Sequence, residues 1–214
     1  MSEAVGLEAW ELELWRGDRR LFKQLSLAVR PGKLLHVRGP NGIGKTSLLR
    51  VLCGATPVDT GRVLWNGVPI EAQRLEYHAN LAYLGHRDGL KQDLTAVENL
   101  RFARAVRQGS DPTGLTPFSE RLDETLTELE LKHAANLPVR VLSAGQRRRV
   151  AIARCLLSDA SLWILDEPFS NLDTAGRRWG DQCLARHLDR QGMVIITSHH
   201  AVDVPRHATD VLDL

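Results

Sequence analysis

The stretch Gly39-Pro-Asn-Gly-Ile-Gly-Lys-Thr46 fits G-x-x-x-x-G-K-[ST] at every fixed position. Glycines in this pattern let backbone N–H groups turn inward around phosphate oxygens, and a helix beginning at the loop adds its positive end. Two further strings follow in order, Leu142-Ser-Ala-Gly-Gln146 and Leu162-Trp-Ile-Leu-Asp-Glu167. The last is an apolar run ending in two carboxylates, as expected of a buried strand that lifts acids to a phosphate site. A phosphate loop alone says that a nucleotide binds. The ordered trio says more.

Working outward, residues 8–15 alternate polar and apolar like a half-buried strand, and Leu21 to Arg30 repeats the pattern before a Pro31-Gly32 turn. Leu34 to Arg38 reads as a short apolar strand feeding the loop, Thr46 to Cys53 as the helix leaving it, and residues 63–68 as the close of an antiparallel patch. Helical signals run from about 93 to 157. Thr95-x-x-Glu98 is a capping box ahead of residues 99–106. Residues 109–117 read as a loop, with Thr116-Pro117 starting a helix whose Leu122, Leu126 and Leu129 share one face. Ser143 is a natural N-cap for a helix reaching Leu157. Residues 161–166 and 193–197 read as buried strands, separated by a helix near 175–190 with Trp179, Leu184 and Leu188 inward. Strands alternating with helices predict a parallel sheet with right-handed crossovers. The whole of 1–214 is then one α/β domain, with a core of about 1–89 and 151–214 and a helical subdomain inserted at about 90–150.

Composition narrows the class. A chain of 214 residues, 43% hydrophobic and 25% charged, has the balance of one globular domain. A formal net charge of +2 is too small to argue for nucleic acid or an acidic lipid surface. Cys53, Cys155 and Cys183 are odd in number and far apart, so neither a disulfide framework nor a thiolate metal site is indicated. No basic, apolar start marks a signal peptide, and no run approaches the ~20 apolar residues of a bilayer span. A membrane path, if the protein serves one, is expected from other subunits.

The trio in this order resembles the ATP-binding-cassette (ABC) ATPases, over essentially all of the chain. The resemblance implies a P-loop NTPase with a RecA-like parallel sheet, an N-terminal antiparallel β patch and an inserted helical subdomain. It implies a homodimer whose two chains close around ATP and Mg²⁺. The motif assigns Lys45 to the β- and γ-phosphates and Thr46 to Mg²⁺, with Gly39, Pro40, Asn41, Gly42, Ile43, Gly44 and Ser47 around them. Asp166 is expected to hold Mg²⁺ through water, and Glu167 to accept a proton from the attacking water. Ser143, Gly145 and Gln146 are expected to face the γ-phosphate held by the other copy, with Ala144 replacing a commoner glycine. Arg147, Arg148 and Arg149 read as solvated or ion-paired rather than as phosphate ligands. Ser170-Asn-Leu-Asp173 resembles the loop that crosses the dimer seam, Asn171 standing for the usual alanine. His199 matches the switch histidine at the γ-phosphate, with adjacent His200 competing. Trp15 is the candidate adenine-stacking aromatic, or else a strand-face core residue.

One departure narrows the subfamily. After the strand Asn80 to Gly85, where ABC ATPases place a glutamine beside Mg²⁺ and the attacking water, stands His86. Either its imidazole replaces that amide as an acceptor, or it is an ordinary loop histidine with Gln92 or nothing in the role. The string L-G-H-R-D-G-L-K, then L-T-A-V-E-N-L at 94–100, L-S-A-G-Q-R-R-R-V-A-I-A-R and L-W-I-L-D-E-P-F resemble the ATPase subunit of bacterial cytochrome c maturation systems. That resemblance implies polytopic membrane partners and a peripheral place on the cytoplasmic face of the bacterial inner membrane. It also implies a stroke serving haem export or release of a haem-loaded chaperone. The ATPase of another small exporter, and a non-transport ABC ATPase, are the alternatives.

Overall fold

The computed structural model describes residues 6–108, 115–170, 172–204 and 209–214. Strands β1 (Leu7–Arg16), β2 (Arg19–Val29), β4 (Thr60–Trp65) and β5 (Val68–Pro69) form an antiparallel sheet in the order β2-β1-β4-β5. Strands β3 (Leu34–Arg38), β6 (Leu81–Leu84), β7 (Leu162–Asp166), β8 (Met193–Thr197) and β9 (Thr209–Asp213) form an all-parallel sheet in the order β6-β7-β8-β3-β9. This is the ABC-type P-loop architecture expected from the sequence. Every residue of β7 and β8 is buried, which explains why both read as continuous apolar runs.

The two faces of the parallel sheet pack differently. Leu162, Ile164, Met193 and Ile195 point toward helix α1 (Lys45–Leu52) and the antiparallel sheet. Their neighbours Trp163, Leu165, Val194 and Ile196 point toward α5 (Ala144–Leu156) and α6 (Thr174–Asp189). A third cluster joins α3 (Ala96–Gln108) and α4 (Leu115–Glu128) to the same α5. Leu122, Leu126 and Leu129 are buried there, as their spacing predicts. Helix α5 therefore belongs to two cores at once, giving Ala151, Ile152 and Cys155 to one and Val150, Ala153 and Leu157, just past its end, to the other.

Three differences from the sequence reading have physical causes. Helix α2 (Arg74–Asn80) carries no helical signal in the sequence, because Tyr77 is its one buried residue and no apolar face repeats. Strand β9 carries no strand signal either, since only Leu212 is even half-buried and acids flank it. Helix α3 begins at Ala96 rather than 99, because the capping box works: Glu98 N donates to Thr95 Oγ1 at 3.1 Å and Thr95 N to Glu98 Oε2 at 2.8 Å. Of the loop read at 109–117, residues 109–114 lie outside the described residues, as does Asn171.

Candidate active site

A cleft of about 590 Å³ opens at the carboxyl ends of β3, β6, β7 and β8, lined by Asn41, Gly42, Gly44, Lys45, Thr46, Ser47, His86, Asp166, Glu167 and His199. Residues from distant parts of the chain meet there because parallel strands end together. Gly39 and Gly44 have φ near 139° and 130°, and a Cβ on Gly39 would sit 3.0 Å from the Leu214 carbonyl. The loop thus needs glycine both for its turn and for its closeness to the chain's end. Lys45 lies over the loop, its Nζ donating to the carbonyls of Gly39 at 2.7 Å and Pro40 at 3.2 Å.

Two acids end β7 with distinct surroundings. Asp166 is buried and accepts from Thr46 Oγ1 and from Thr197 Oγ1, both at 2.7 Å. Glu167 has φ near 48°, a left-handed bend that carries the chain sharply off the strand. Its backbone N–H donates to the Thr197 carbonyl at 3.2 Å and to Thr197 Oγ1 at 3.0 Å. The Glu167 carboxylate accepts from the His199 backbone N–H at 3.3 Å. Its buried Oε1 has no hydrogen-bond partner, and His199 Nε2 stands 3.5 Å away, in ion-pair reach only. An acceptor oxygen left open beside a phosphate loop is suited to taking a proton.

The donor set also suits magnesium. Among the described residues no three His, Cys, Asp or Glu side chains cluster to hold a metal by themselves. A hydroxyl and one carboxylate, Thr46 and Asp166, side by side at the phosphate loop fit an ion that takes its remaining ligands from substrate phosphates and water.

The two adjacent histidines separate. His199 lines the cleft, whereas His200 points to α6, where its Nε2 meets Arg177 Nη1 at 3.0 Å. His86 is exposed at the cleft. Gln92 is not among the residues that line it. Trp15 is not among them either: its Nε1 donates to Glu13 at 2.9 Å, and Arg20 sits over its ring at 5.5 Å. Arg16 and Arg19, from the same hairpin, are lining residues instead.

Ser143, Gly145, Gln146 and Asp173 also lie outside this cleft. Ser143 and Gln146 close a capping box, Gln146 N donating to Ser143 Oγ at 3.2 Å and Ser143 N to Gln146 Oε1 at 2.9 Å. Asp173 caps α6, accepting from Gly176 N at 2.7 Å. None of the three arginines after Gln146 is simply solvated: Arg147 donates to the Leu142 carbonyl, Arg149 pairs with Glu130, and Arg148 is buried in a web of carbonyls. Sequence reasoning missed Thr197, Arg16, Arg19 and buried His36, whose Nε2 meets the Ser198 carbonyl at 3.2 Å. Burial holds the His36 imidazole below its usual range. A threonine ending an apolar run carries no signal of its own. Its role appears only when β8 is laid beside β7.

Comparison with known proteins fits this geometry. The ABC transporter family model matches residues 22–170. The "Cytochrome c biogenesis ATP-binding export protein CcmA" of Methylococcus capsulatus is 46% identical over 204 residues, covering 95% of each chain. The protein of the same name from Nitrosomonas europaea is also 46% identical, over 90% of this chain and 88% of its own. The chain belongs to the ABC transporter ATP-binding family, in its CcmA branch. Its fold extends to more distant members of that family. A solved ATP-binding subunit of an ABC transporter, 22% identical, superposes with a TM-score of 0.85 over 97% of this chain and 86% of its own. Among its described residues this ABC ATPase has no helix long and apolar enough to cross a membrane.

Proposed function

We propose that this chain is the ATP-hydrolysing subunit of the ABC complex that serves cytochrome c biogenesis. The observation that carries the reading is the cleft in which Lys45, Thr46, Asp166, Glu167 and His199 meet, in a chain 46% identical to CcmA proteins over nearly its whole length. The N–H groups at the start of α1, with Lys45, bind the triphosphate. Thr46 and Asp166 would hold Mg²⁺, which supplies charge neutralisation at the β- and γ-phosphates. Glu167 accepts a proton from the attacking water as its oxygen bonds to the γ-phosphorus. The bond from that phosphorus to the bridging oxygen breaks, and ADP leaves. His199 orients the γ-phosphate, and His86 offers an acceptor to the water or the metal's shell. Ser143, Gly145, Gln146 and Asp173 act across a homodimer seam, which accounts for their absence from the cleft of their own chain. The unit works as one domain, the α3–α5 region forming a helical subdomain on the sheet core.

The membrane partners dock, in this reading, where β6 meets α3. A groove of about 430 Å³ there is lined by Tyr83, Leu90, Phe102, Val106 and Arg107, with Phe102 47% and Val106 69% exposed. It adjoins the loop that holds His86, so a partner's motion reaches the cleft by a short path. The chain sits peripherally at the cytoplasmic face of the inner membrane, and its stroke serves haem export or release of a haem-loaded chaperone. The test is to trap tagged Glu167→Gln protein with MgATP on native membranes, identify what copurifies by mass spectrometry and record absorbance in the haem Soret band. Cytochrome c biogenesis membrane proteins with haem support the reading. Another membrane partner without haem refutes it while leaving the ATPase chemistry intact.

A further inference from the structure

Arg148 is 3% exposed, two residues past the Ser143–Gln146 cap on α5. Its Nε donates to the Pro168 carbonyl at 2.9 Å, and its Nη2 to the carbonyls of Asp166 at 2.9 Å and Glu167 at 2.8 Å. Its Nη1 donates to the Gly85 carbonyl at 3.0 Å and to Asp88 Oδ1 at 3.1 Å. A guanidinium has five N–H groups, so this one is fully engaged. Three consecutive carbonyls, 166 to 168, converge on one cation. A straight strand points successive carbonyls to opposite sides; only the left-handed bend at Glu167 lets them meet. The same bend turns the Glu167 carboxylate into the cleft.

The remaining two bonds bracket His86, since Gly85 precedes it and Asp88 follows it by two. One side chain thus fixes the backbone of both groups that face the attacking water in the proposed mechanism. Filling space does not account for it. A buried cation is costly, and an apolar residue of similar size often packs as well or better. What an apolar residue cannot do is tie three chain segments by directed bonds.

We propose that Arg148 is a positioning residue for hydrolysis, holding Glu167 and the His86 loop in register with the start of α5. The inference rests on the reading of Glu167 as the proton acceptor. Misplacing a reacting group by about 1 Å is enough to lose about 100-fold in rate. Arg148→Lys, which keeps the charge but not the five-donor fork, should therefore lower kcat about 100-fold, with MgATP binding, followed with a fluorescent ATP analogue, changed by no more than about threefold. Asp88→Ala removes one tether and should lower kcat about fivefold at unchanged KM and melting temperature, while Asp88→Asn, still an acceptor, should restore most of it.

Asp88 is partly exposed and peripheral, so its variants decide the matter even if Arg148→Lys does not fold. Full kcat in Asp88→Ala overturns the proposal, as does a fall in kcat matched by a rise in KM and a loss of melting temperature. Glu167→Gln run in parallel separates the two ideas. If it hydrolyses ATP normally, the proton-acceptor reading fails. If it is inactive while Asp88→Ala is fully active, only the positioning role fails.

Discussion

The two ends of the parallel sheet hold similar side chains in opposite states. At the carboxyl ends of β7 and β8, Asp166, Glu167, Thr197 and His199 bond across chain segments, and all but the buried Thr197 line an open cleft. At the amino ends, His187 lies flat on Trp163, ring centroids 3.9 Å apart and planes 11° from parallel. Burial pushes the His187 imidazole down to about 4. His187 Nε2 and Trp163 Nε1 are buried without hydrogen-bond partners. Gly192 presses against the ring, where a Cβ would come within 2.3 Å of Nε2. An imidazole at one end is exposed and polar; at the other it is an aromatic slab. In open α/β sheets ligands collect outside the carboxyl ends, where helix N-termini also point. The amino ends are left to packing.

The largest effects should break the comparison at its carboxyl side. Glu167→Gln keeps the shape and removes the proton acceptor, so turnover should fall about 1,000-fold while ATP binding persists. Phosphate release measured beside equilibrium nucleotide binding checks this, and parallel loss of both would show a structural role instead. The next effect belongs to the amino side and concerns stability alone. Folding lowers the affinity of His187 for its proton, so its contribution to stability is complete above the ordinary histidine value near 6.5. That contribution fades as pH falls from there through about 4, where the buried ring must charge. The loss is on the order of 3 kcal/mol. His187→Phe, which keeps the stack, should melt with a visibly flatter acid limb and an unchanged ATPase rate at neutral pH. A wild-type acid limb in the variant would remove His187 from the account.

The carboxyl side was far more legible in the sequence than the amino side. The loop at 39–46, the acids at 166–167 and the cap at Ser143 are local patterns whose chemistry demands fixed residues at fixed spacing. So are strands such as β8, where Met193 to Ile196 form a buried apolar run. Thr197, Arg148 and His187 act through residues far away in the chain, at 166, 85 and 163 among them. No window along the sequence contains both partners. Three arginines in a row suggest solvent or ion pairs; Arg148 has its ion pair in Asp88, but nothing local announces that it is buried. Trp15 shows the limit of spacing alone: its place along the chain points to the nucleotide, while its half-exposed ring lies against Glu13 and Arg20, beside the cleft-lining Arg16 and Arg19.

Thr197 tests how tightly the carboxyl end is built. Its hydroxyl donates to Asp166 and accepts from the Glu167 N–H, so it spaces the two acids. Thr197→Val fills the same volume but takes a donor from Asp166 and leaves the Glu167 N–H only the Thr197 carbonyl, costing about 1–3 kcal/mol of stability. Turnover should drop about tenfold, and Thr197→Ser should recover both. Equal defects in Val and Ser variants would mean that the methyl group matters and the hydroxyl does not.

The smallest effect returns to the contrast between histidines. His86 and His199 line the cleft, yet only His199 touches Glu167. If His86 serves as an acceptor toward water, it does so through a ring-nitrogen lone pair. Glutamine offers an amide oxygen in the same role. The rates of wild type and His86→Gln should therefore agree within about threefold, because the acceptor is present in both. His86→Leu lacks the acceptor and should lose about fivefold in turnover at unchanged nucleotide binding. A His86→Leu rate equal to wild type would leave His86 a bystander at the cleft's edge, where His199 alone of the two reaches Glu167.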